Sequence, residues 1–499
     1  MKTYVLNLPK RNDRRELFDK TNKDILTYEY FDDIVDGKEI NYNQLQSMGF
    51  DTYKDWIDPI ENTRITKGEV GCFLSHWRLW EKCIELNEPI LILEDDAVCT
   101  DRFNIKEVEE LLNEYNLIYL GWREMGNSTP IDSKYVIPEY PYWGLAYVIT
   151  PESATKLIEN DIKHNIIPVD EYLPKRVKDL RCIGYKENVI YPRDRSETGS
   201  DIYKSNRYDY FIDFDVYPIT VGTDKDKCIK LFESAKKYGT EFTNLGDNIE
   251  WTGGDMNFTG GGQKLNLLKE VIDDLPEHDV IFFCDAYDVF LCDTIEEMCY
   301  RYLEIGHKVL FAAEKVCWPN ENLADQSVAL NKKQERYFDT PYQYLNSGVF
   351  MGRVSELKKI LEVEPIKDNE SDQLWMQYKW LSELHDIALD TDCYIFQCHE
   401  PECYKDGTML YNPITKCYNC LYHGNGGSSS SDKLNELYES FLGPKSPIIH
   451  IPIHDYEILD NDIILVDYLT PSMCDSLIEL SERHGDYKNL KDDDFPGQE

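Results

Sequence analysis

The chain has 499 residues, which at roughly 150 residues per domain predicts about three domains. Hydrophobic residues make up 42% and aromatic residues 13%, so the chain can bury a large interior and is not broadly disordered. The formal charge of −40 argues against a nucleic-acid-binding surface and against an anionic membrane as partner. Clustered acids instead favour bound divalent cations or a basic polypeptide substrate, although most of the 93 acids must form an ordinary solvated surface.

The two ends of the sequence show no targeting segment. The opening MKTYVLNLPK has an apolar run too short for a signal-peptide core and is typical of a first strand. No apolar run approaches the roughly 18 residues of a membrane span, and DDDFPGQE is not an ER-retention signal. We therefore expect a cytoplasmic protein without a membrane span, unless the N-terminus is truncated.

The first predicted domain, residues 1–205, alternates strand and helix patterns. The predicted strands are YVLNLP, PILILEDD, NLIYLG and WGLAYVIT, and the predicted helices are RNDRRELFDKTN, GEVGCFLSHWRLWEKCIEL and PESATKLIEN. Continuously apolar strands that alternate with helices predict an α/β domain with a mostly parallel sheet covered on both faces.

The pattern starts again after a join rich in Tyr and Asp, which predicts a second α/β domain over residues 210–445. Its predicted strands are YPITVGT, DVIFFCDAYD, KVLFAAE and YLNSGVFMG, and its predicted helices are DKCIKLFESAKKYG and GGGQKLNLLKEVIDDL. The segment GGSSSSDK predicts a flexible polar link. Residues 446–499 form a short C-terminal extension in which DIILVDYLTPSMCDSLIELSERHG predicts a strand, a turn and a helix.

Acids follow a buried strand in both domains. Glu94, Asp95 and Asp96 follow ILIL, and Asp285 and Asp288 follow VIFFC. Ligands of open α/β sheets bind beyond the carboxyl ends of the strands, and converging carboxylates repel each other unless a cation joins them. Hard oxygen ligands suit Mg²⁺ or Mn²⁺, so the pattern indicates metal-assisted chemistry on a nucleotide or phosphate. A single such pair is also explained by a helix cap or a turn.

Two further stretches favour a phosphate ligand without requiring one. TGGGQK, Thr259 to Lys264, would bring backbone N–H groups close to a phosphate, but it is not a P-loop and is also explained by a tight turn before a helix. His423 lies beside glycines in YHGNG, and its imidazole suits Mn²⁺ better than Mg²⁺, although a structural histidine remains open.

The cysteines and sequons leave their roles open. Five of the 15 cysteines crowd together and would bind zinc, form disulfides or remain free thiols: Cys393, Cys398, Cys403, Cys417 and Cys420. The glycosylation sequons at Asn127, Asn257 and Asn369 matter only in a secreted protein.

The first 200 residues resemble glycosyltransferase family 25, which includes lipooligosaccharide galactosyltransferases and collagen hydroxylysine galactosyltransferases, and they are closest to the collagen branch. The stretches that carry the resemblance are YVLNLPKRNDRR, TKGEVGCFLSHWRLW, LILEDD, NLIYLGWREM, YWGLAYVIT, PVDEYLP and IYPRDRSETGSDI.

Residues from about Val216 to Gly426 resemble the glycosyltransferase domain of multifunctional procollagen lysyl hydroxylases. The stretches that carry this resemblance are ITVGT, WTGGD, TGGGQK, FFCDAYDVF, EKVCWPNENLADQ, YLNSGVFMG, SDQLW, DCYIFQ and YHGNG. The tail looks like the opening of the hydroxylase's dioxygenase domain, the rest of which is missing. A giant virus with collagen-like genes would be a natural source of this fusion, and the host cytoplasm would then be its location.

The resemblances imply two GT-A (Rossmann-like) glycosyltransferase domains in tandem that use Mn²⁺ with UDP-galactose and UDP-glucose. The first domain would transfer galactose to hydroxylysine with inversion, and the second would add glucose to galactosylhydroxylysine with retention. A collagen-like polypeptide is the expected acceptor, and a homodimer is the expected oligomer. The shortened acidic run KDNESDQ puts the acceptor preference of the second domain in doubt.

The same resemblances imply roles for individual residues. In the first domain, Glu94, Asp95 and Asp96 would hold the metal, and Asp170 or Glu171 would be the base. The expected donor-site residues there are Asn7, Arg14 and His76, although a core-facing His76 is an equal alternative. In the second domain, the metal ligands would be Asp285, Asp288 and His423, with Asp372 as a catalytic residue that faces the sugar or acceptor. The expected donor-site residues are Thr220, Trp251, Gly254, Lys264, Tyr287, Asn346, Gly424, Gly426 and Lys433, and the expected acceptor residues are Trp318 and Asp368.

Three other functions remain open at this point. In the first alternative, only one of the two domains is active. In the second, the chain is a lipooligosaccharide-type glycan transferase unrelated to collagen. In the third, it is a non-enzymatic scaffold that binds collagen through its acids.

Overall fold

The structure is a computed structural model. It describes residues 1–54, 56–59, 63–159, 161–199, 207–256, 260–334, 338–362, 364–426, 428–443, 456–460 and 463–466. The sequon at Asn257, Thr259 of TGGGQK and the predicted turn and helix of the tail lie outside these residues. Within them, no helix is both long enough and apolar enough to span a bilayer. The chain divides into two compact units, Met1–Leu442 and Gly443–Glu499.

The N-terminal half of the larger unit contains every strand and helix predicted for the first domain. Its strands are β1 (Lys2–Leu6), β2 (Glu29–Tyr30), β3 (Ile90–Glu94), β4 (Ala97–Cys99), β5 (Leu117–Glu124), β6 (Thr129–Pro130), β7 (Tyr135–Ile137), β8 (Pro141–Ile149), β9 (Cys182–Tyr185) and β10 (Ile190–Pro192). Its helices are α1 (Asn12–Asn22), α2 (Tyr42–Ser47), α3 (Lys67–Leu86), α4 (Ile105–Leu111), α5 (Pro151–Ile158), α6 (Val169–Arg176) and α7 (Arg195–Thr198).

The main sheet of this half has the order β2-β1-β3-β8-β5-β9-β7-β6, and it is mixed. β1 is parallel to β2 and β3, but β8 runs antiparallel to both β3 and β5. The prediction of a mostly parallel sheet is therefore wrong for this domain. The long apolar run of β8 reflects its burial between two strands, and burial gives the same pattern whichever way a strand runs.

Helix α3 is the main helix against this sheet, and its sequence explains its limits. Thr66 caps its N-terminus in a capping box with Glu69, and Asn87 ends it in the left-handed conformation at φ 52°. Phe73 and Trp80 are completely buried on its inner face. The same helix carries His76 towards the carboxyl end of β3.

The C-terminal half of the larger unit likewise contains every predicted element of the second domain. Its strands are β11 (Val216–Val221), β12 (Thr243–Asn244), β13 (Val280–Asp285), β14 (Val289–Leu291), β15 (Val309–Glu314), β16 (Tyr344–Arg353), β17 (Ile387–Asp390), β18 (Phe396–Cys398), β19 (Tyr404–Asp406), β20 (Met409–Asn412), β21 (Cys417–Asn419) and β22 (Leu421–His423). Its helices are α8 (Ile229–Lys237), α9 (Gly262–Ile272), α10 (Ile295–Ile305), α11 (Ala324–Asn331), α12 (Val354–Glu362), α13 (Asp372–Leu381) and α14 (Ser428–Leu442).

The main sheet of this half has the order β12-β11-β13-β16-β15-β17. β11 is parallel to β12 and β13, whereas β16 is antiparallel to both β13 and β15. A reversed strand thus lies in the same relative place as β8 of the first sheet. Two smaller sheets, β14-β22-β18 and β19-β20-β21, complete the half.

The serine run is helical and does not form the predicted flexible link. Ser428 begins α14, in which Leu434, Leu437 and Phe441 are buried. These side chains pack with Phe290 and Tyr422 in a small apolar cluster. Helical spacing of the apolar residues after the serines therefore outweighs the weak helix preference of the serines themselves.

The two halves of the larger unit contact each other through polar side chains. Tyr42 Oη lies 3.1 Å from His278 Nε2, and Lys54 Nζ donates to the backbone oxygen of Asp213 at 2.7 Å. The predicted domain boundaries near residues 205 and 210 remain predictions.

The described part of the smaller unit is a two-stranded hairpin. β23 (Tyr456–Asp460) pairs antiparallel with β24 (Ile463–Val466). β24 corresponds to the strand predicted at the start of the tail.

The crowded cysteines are free thiols in the structure. Cys393, Cys398, Cys403, Cys417 and Cys420 form no disulfide, and no cluster of metal-ligating side chains within the described ranges includes any of them. Of the alternatives from the sequence, the structure shows the free thiols.

Candidate active sites

The first candidate site is a cleft at the carboxyl ends of β1 and β3. The cleft has a volume of ≈ 540 Å³. Its lining includes Arg14, Glu94, Asp95, Asp96, Trp143 and Asp170. Five of these six residues were predicted from the sequence.

The three acids after β3 occupy different surroundings. Asp95 accepts hydrogen bonds from Asn7 Nδ2 at 2.9 Å and from Arg14 at 2.8 Å. These partners favour its ionised form, but burial outweighs them and raises its pKa. Burial, reinforced by neighbouring carboxylates, raises the pKa of Glu94 and of Asp96 to about 7. Asp96 Oδ1 is buried and has no hydrogen-bond partner within the described residues.

His76 faces Glu94 from helix α3. Its Nε2 lies 3.7 Å from Glu94 Oε1, and its Nδ1 lies 2.7 Å from Tyr147 Oη. Burial lowers the pKa of His76 to about 4, so the ring is neutral at physiological pH. His76 is fully buried and yet turned towards the acids, so it combines the two alternatives that the sequence left open.

Cys72 is a site residue that the sequence analysis missed. Its Sγ and the ligand atoms of His76 and Glu94 all lie within 4.8 Å of one another. The available signal was the spacing of Cys72 and His76, because residues four apart share one face of a helix.

The two candidate bases point in different directions. Asp170 lines the cleft and accepts a hydrogen bond from Gly144 N at 2.6 Å. Burial and the nearby Glu94 carboxylate raise the pKa of Asp170 to about 7. Glu171 is buried and accepts a hydrogen bond from Tyr140 Oη at 2.5 Å.

A bulge in β8 shapes the centre of this cleft. A Cβ atom on Gly144 would lie 3.4 Å from His76 Cε1 and 3.5 Å from both Asp170 Oδ1 and Glu94 Oε1, so three functional side chains converge on one glycine. The neighbouring Trp143 has φ 81°, an unfavourable conformation for a residue other than glycine. Backbone strain of this kind clusters at functional sites, and no sequence pattern predicted it at Trp143.

These groups fit a divalent cation. Glu94, Asp96 and Asp170 line the cleft with carboxylates whose ionisation is opposed by burial and neighbouring carboxylates. A hard cation relieves such repulsion. Of the predicted ligands Glu94, Asp95 and Asp96, only Glu94 belongs to a described group of three ligand side chains within 4.8 Å of one another, and its partners are Cys72 and His76.

The second candidate site lies at the carboxyl ends of β13 and β22. His423 Nε2 lies 3.4 Å from Asp288 Oδ2 and 3.9 Å from Asp285 Oδ2. The ligand atoms of these three residues lie within 4.8 Å of one another. The predicted metal ligands of this domain are therefore brought together, and two carboxylates with one imidazole fit a divalent cation.

Gly348 of β16 provides the space for this cluster. A Cβ atom there would lie 2.4 Å from His423 Cε1 and 2.6 Å from Asp285 Oδ2. Asn346, another predicted site residue, lies on the same strand, and its Oδ1 accepts a hydrogen bond from the Gly348 amide at 3.0 Å.

Lys264 links the metal cluster to Asp372. Its Nζ lies 2.7 Å from Asp285 Oδ1 and 2.8 Å from Asp372 Oδ2, and the lysine is buried. Burial alone would lower the pKa of Lys264, but the two carboxylates raise it above its usual value. Burial likewise opposes the charges of His423 and Asp288, yet their mutual attraction raises the pKa of His423 and lowers that of Asp288.

Several predicted donor-site residues surround the cluster. Gly424 N donates to the backbone oxygen of Asp288 at 2.7 Å, and Tyr287 Oη accepts hydrogen bonds from the amides of Thr223 and Asp224 at 3.0 Å. Thr220 is buried and donates its hydroxyl proton to the backbone oxygen of Cys284 at 2.7 Å. Its side chain is thus used within the sheet.

Other predicted residues make local contacts. Trp251 Nε1 donates to the backbone oxygen of Gly254 at 2.8 Å, and Gly254 and Gly426 both have positive φ. Lys433 pairs with Glu436 in α14 at 2.8 Å.

The predicted acceptor residues lie near α13 or the segment before it. Asp368 accepts hydrogen bonds from Thr252 Oγ1 at 2.6 Å and from Asn266 Nδ2 at 2.7 Å. Trp318 is exposed, and its backbone oxygen accepts hydrogen bonds from Gln373 and Gln377 at 2.8 and 2.7 Å.

Glu314 is a buried acid near the second site that the sequence analysis missed. It ends β15 and accepts hydrogen bonds from Gln373 Nε2 at 2.6 Å and from Asn425 Nδ2 at 2.8 Å. Burial raises its pKa to about 7. Its position at the end of a buried strand, in KVLFAAE, was the available signal.

Each of the two mixed α/β sheets has acids at the end of a buried strand and a histidine facing them, and the family models assign both domains to glycosyltransferases. Residues 1–173 match the model of glycosyltransferase family 25 (LPS biosynthesis protein), and residues 213–442 match the model of the PLOD GT domain. The chain therefore combines two glycosyltransferase domains.

Individual relatives match one part of the chain at a time. Procollagen-lysine,2-oxoglutarate 5-dioxygenase of Drosophila melanogaster is 39% identical over 36% of this chain and 24% of its own length. Protein R699 of Acanthamoeba polyphaga mimivirus is 32% identical over 42% of this chain and 46% of its length. Human procollagen galactosyltransferase 2 is 31% identical over 37% of this chain and 31% of its length. The chain thus matches less than half the length of each of these relatives.

Solved structures give a weaker likeness. The bifunctional glycosyltransferase WbbM aligns over 88% of this chain and 97% of its own, with a TM-score of 0.27 and 12% identity. The galactosyltransferase LgtC aligns over 46% of this chain and 96% of its own, with a TM-score of 0.27 and 14% identity. Both scores are low, so the assignment of the two domains rests on the family models.

Proposed function

We propose that this chain is a bifunctional collagen glycosyltransferase. The first domain transfers galactose from UDP-galactose to hydroxylysine, and the second transfers glucose from UDP-glucose to galactosylhydroxylysine. The observation that carries the proposal is that each family-matched domain holds its own group of potential metal ligands that includes a histidine and at least one acid from the end of a buried strand. Relatives that share these domains are named as procollagen galactosyltransferases and procollagen-lysine dioxygenases.

Mn²⁺ is the proposed metal of both sites. Glu94 and Asp96 would hold it in the first domain together with groups from His76 and Asp170, and Asp285, Asp288 and His423 would hold it in the second. A bound divalent cation stabilises the negative charge that develops on a departing nucleoside diphosphate.

Asp170 is the proposed base of the first domain. An inverting transfer needs a group that takes the proton of the attacking hydroxyl, and a carboxylate with pKa about 7 is well matched to that role near neutral pH. Asp170 lines the cleft, whereas Glu171 is held by Tyr140. Glu171 is then a positioning residue.

The assignment of the base predicts different losses for two matched variants. Asp170→Asn lowers kcat of the first transfer about 10²- to 10⁴-fold, the usual contribution of a general base. Glu171→Gln lowers it much less, because the amide still accepts the Tyr140 hydrogen bond. Steady-state galactosylation of a hydroxylysine peptide measures both. A larger loss in Glu171→Gln would transfer the role of base to Glu171.

In the second domain, Lys264 holds Asp372 close to Asp285. A retaining transfer lets the acceptor oxygen attack on the face that the leaving group vacates, so Asp372 is proposed to orient the acceptor hydroxyl. The Lys264 ammonium pairs with both carboxylates and holds them in place.

Donor transfer to a hydroxylysine peptide, read by mass, tests the two activities separately. The unmodified protein with Mn²⁺ and both UDP-sugars should add two hexoses. Asp96→Ala should add none to bare hydroxylysine, and Asp285→Ala should stop after one hexose. Each lost metal carboxylate is expected to slow its own transfer about a thousandfold, a barrier change of several kcal/mol.

Other outcomes select the other functions. Two hexoses on a simple sugar acceptor, with none on the peptide, would indicate a glycan transferase. A single kind of hexose transfer by the unmodified protein, lost in only one of the two variants, would indicate a single active domain. The absence of any Mn²⁺-dependent turnover of UDP-sugars would indicate a scaffold.

A further inference from the structure

A small sheet next to the second site presents tyrosines to solvent. β19, β20 and β21 form an antiparallel meander in which Tyr404 pairs with Tyr411, and Tyr411 pairs with Tyr418. The ring centroids are 5.5 Å apart in the first pair and 5.0 Å apart in the second. Asp406 pairs with Met409 on the same strands. We call the surface formed by Tyr404, Asp406, Met409, Tyr411 and Tyr418 the tyrosine platform.

The platform reverses the usual pattern of a half-buried sheet. Leu410 and Asn419 point inward and are buried, so the platform is the outward face. Outward faces are normally polar, yet Tyr404 is 48% exposed and Met409 is 37% exposed. A contiguous exposed aromatic patch typically marks an interaction site.

The platform continues into a cavity of ≈ 370 Å³ through Met409, which lines both. Tyr208 and Tyr300 form aromatic walls of this cavity, and Asp293 and Glu296 add carboxylates. Arg301 and Glu297 also line it, but they form a buried ion pair with each other at 2.6 Å.

One lysine of the chain already contacts the Tyr300 wall of this cavity. Lys67 Nζ donates to Tyr300 Oη at 2.5 Å and lies 5.0 Å from the centroid of the Tyr300 ring. Tyr300 Oη in turn donates to Glu296 at 3.0 Å. The combination of an aromatic face and a carboxylate therefore attracts an ammonium group here.

We propose that the tyrosine platform and this cavity together bind an extended, proline-rich polypeptide that carries lysine side chains. The inference rests on the proposed function, because it assigns a docking surface to the acceptor chain. Polyproline II segments lie on aromatic surfaces and have no internal hydrogen bonds to lose. Lysine side chains suit the carboxylates of Asp406, Asp293 and Glu296, whereas a second copy of this chain would be repelled at a net charge of −40.

The platform lies close enough to the second site to present an acceptor to it. β21 leads into β22, and the five residues from Tyr418 to His423 span at most about 17 Å at the rise of a β-strand. A polypeptide docked on the platform thus needs only a few residues to reach the cluster of Asp285, Asp288 and His423.

The test compares a long and a short acceptor on the full chain. The long peptide has repeated Gly-Pro-X triplets around one galactosylhydroxylysine, and the short peptide keeps that residue and its two neighbours. The double variant Tyr404→Ser/Met409→Ser alters two exposed side chains, and Tyr53→Ser, at a tyrosine that is 46% exposed elsewhere, is the matched control. Fluorescence anisotropy of the labelled long peptide without UDP-sugar measures binding, and glucose transfer to both peptides measures activity.

The double variant should bind the long peptide about tenfold more weakly and raise its KM by a similar factor, as expected for lost aromatic contacts. Its transfer to the short peptide and its hydrolysis of UDP-glucose should equal those of the control. Unchanged binding of the long peptide, or an equal loss on the short peptide, overturns the proposal. A monomer from a dimeric parent, seen by sedimentation, also overturns it, because the platform would then bind a second copy.

Failure of the proposed function gives a different result. If the unmodified protein transfers no sugar to either peptide but the double variant still binds the long peptide more weakly, the platform is supported and the catalytic proposal is wrong.

Glu296→Gln, which keeps the side-chain size, should reduce the salt dependence of peptide binding. A salt dependence equal to that of the unmodified protein would contradict the role of the carboxylates.

Discussion

The two acidic clusters occupy similar places in two similar sheets, but they balance their charge differently. In the first domain, Arg14 is engaged with Asp95, and the carboxyl groups of Glu94, Asp96 and Asp170 have pKa values raised to about 7. In the second domain, Lys264 lies between Asp285 and Asp372, and His423 lies beside Asp288. The protein supplies its own cations to the second cluster, so the first should depend more strongly on a bound metal.

The largest expected effect comes from removing the cation of the second cluster. Lys264→Met leaves Asp285 and Asp372 buried without their partner, which should lower the free energy of unfolding by about 3–5 kcal/mol and abolish the second transfer. Denaturant unfolding measures the stability, and a hexose count measures the transfer.

Lys367→Met is the matched control, because Lys367 forms a surface pair with Glu370 at 3.1 Å. It should change the stability by about 1 kcal/mol or less. Equal losses in the two variants would show that Lys264 does not compensate a buried cluster.

The next prediction compares the same substitution, glycine to alanine, in the two sites. Gly348→Ala places a methyl group 2.4 Å from His423 Cε1, so the metal cluster must shift, and the second transfer should fall about 10²-fold. Gly144→Ala meets its nearest atoms at 3.4 Å or more, which is ordinary contact, and the first transfer should change only a few-fold. Steady-state kinetics of both transfers in both variants checks this. Similar losses would contradict the difference in space between the two sites.

The pH dependence of metal binding should also separate the two sites. Because the folded state raises the pKa of Asp96 from 3.8 to about 7, the protonated carboxyl favours folding below pH 4, and this contribution is lost as the pH rises through 7. Mn²⁺ binds the ionised carboxylates. For each carboxyl proton that it displaces at the first site, its Kd there should rise about tenfold for every unit by which the pH falls below 7. At the second site, Asp288 has a lowered pKa and is already ionised, so Mn²⁺ displaces mainly the imidazolium proton of His423, whose pKa is raised. Fewer protons are displaced than at the first site, where three carboxyl groups have pKa values near 7, and the dependence should be weaker.

Mn²⁺ titrations between pH 6 and 8 check this difference. The Asp285→Ala protein isolates the first site, and the Asp96→Ala protein isolates the second. Parallel pH dependences would mean that the carboxyl groups of the first cluster titrate normally.

Local sequence patterns predicted much of this molecule. The apolar runs before Glu94 and Asp285 predicted strands that end at a site, and the helical spacing in α3 predicted the helix that carries His76. These features depend on neighbouring residues, since alternation and spacing are local properties of the chain. The direction of β8 and β16 was beyond such patterns, because a buried strand is apolar in either direction.

The sequence by itself determined which elements form and which acids follow the buried strands. Only the tertiary structure decided which charges meet: Arg14 with Asp95, Lys264 with Asp285 and Asp372, and His423 with Asp288. The same holds for α14, whose serines form a helical turn because later residues pack on Phe290 and Tyr422. The physical reason is that ion pairing and burial join residues far apart in the chain, and their energies depend on distance and solvent exposure, which no local pattern contains.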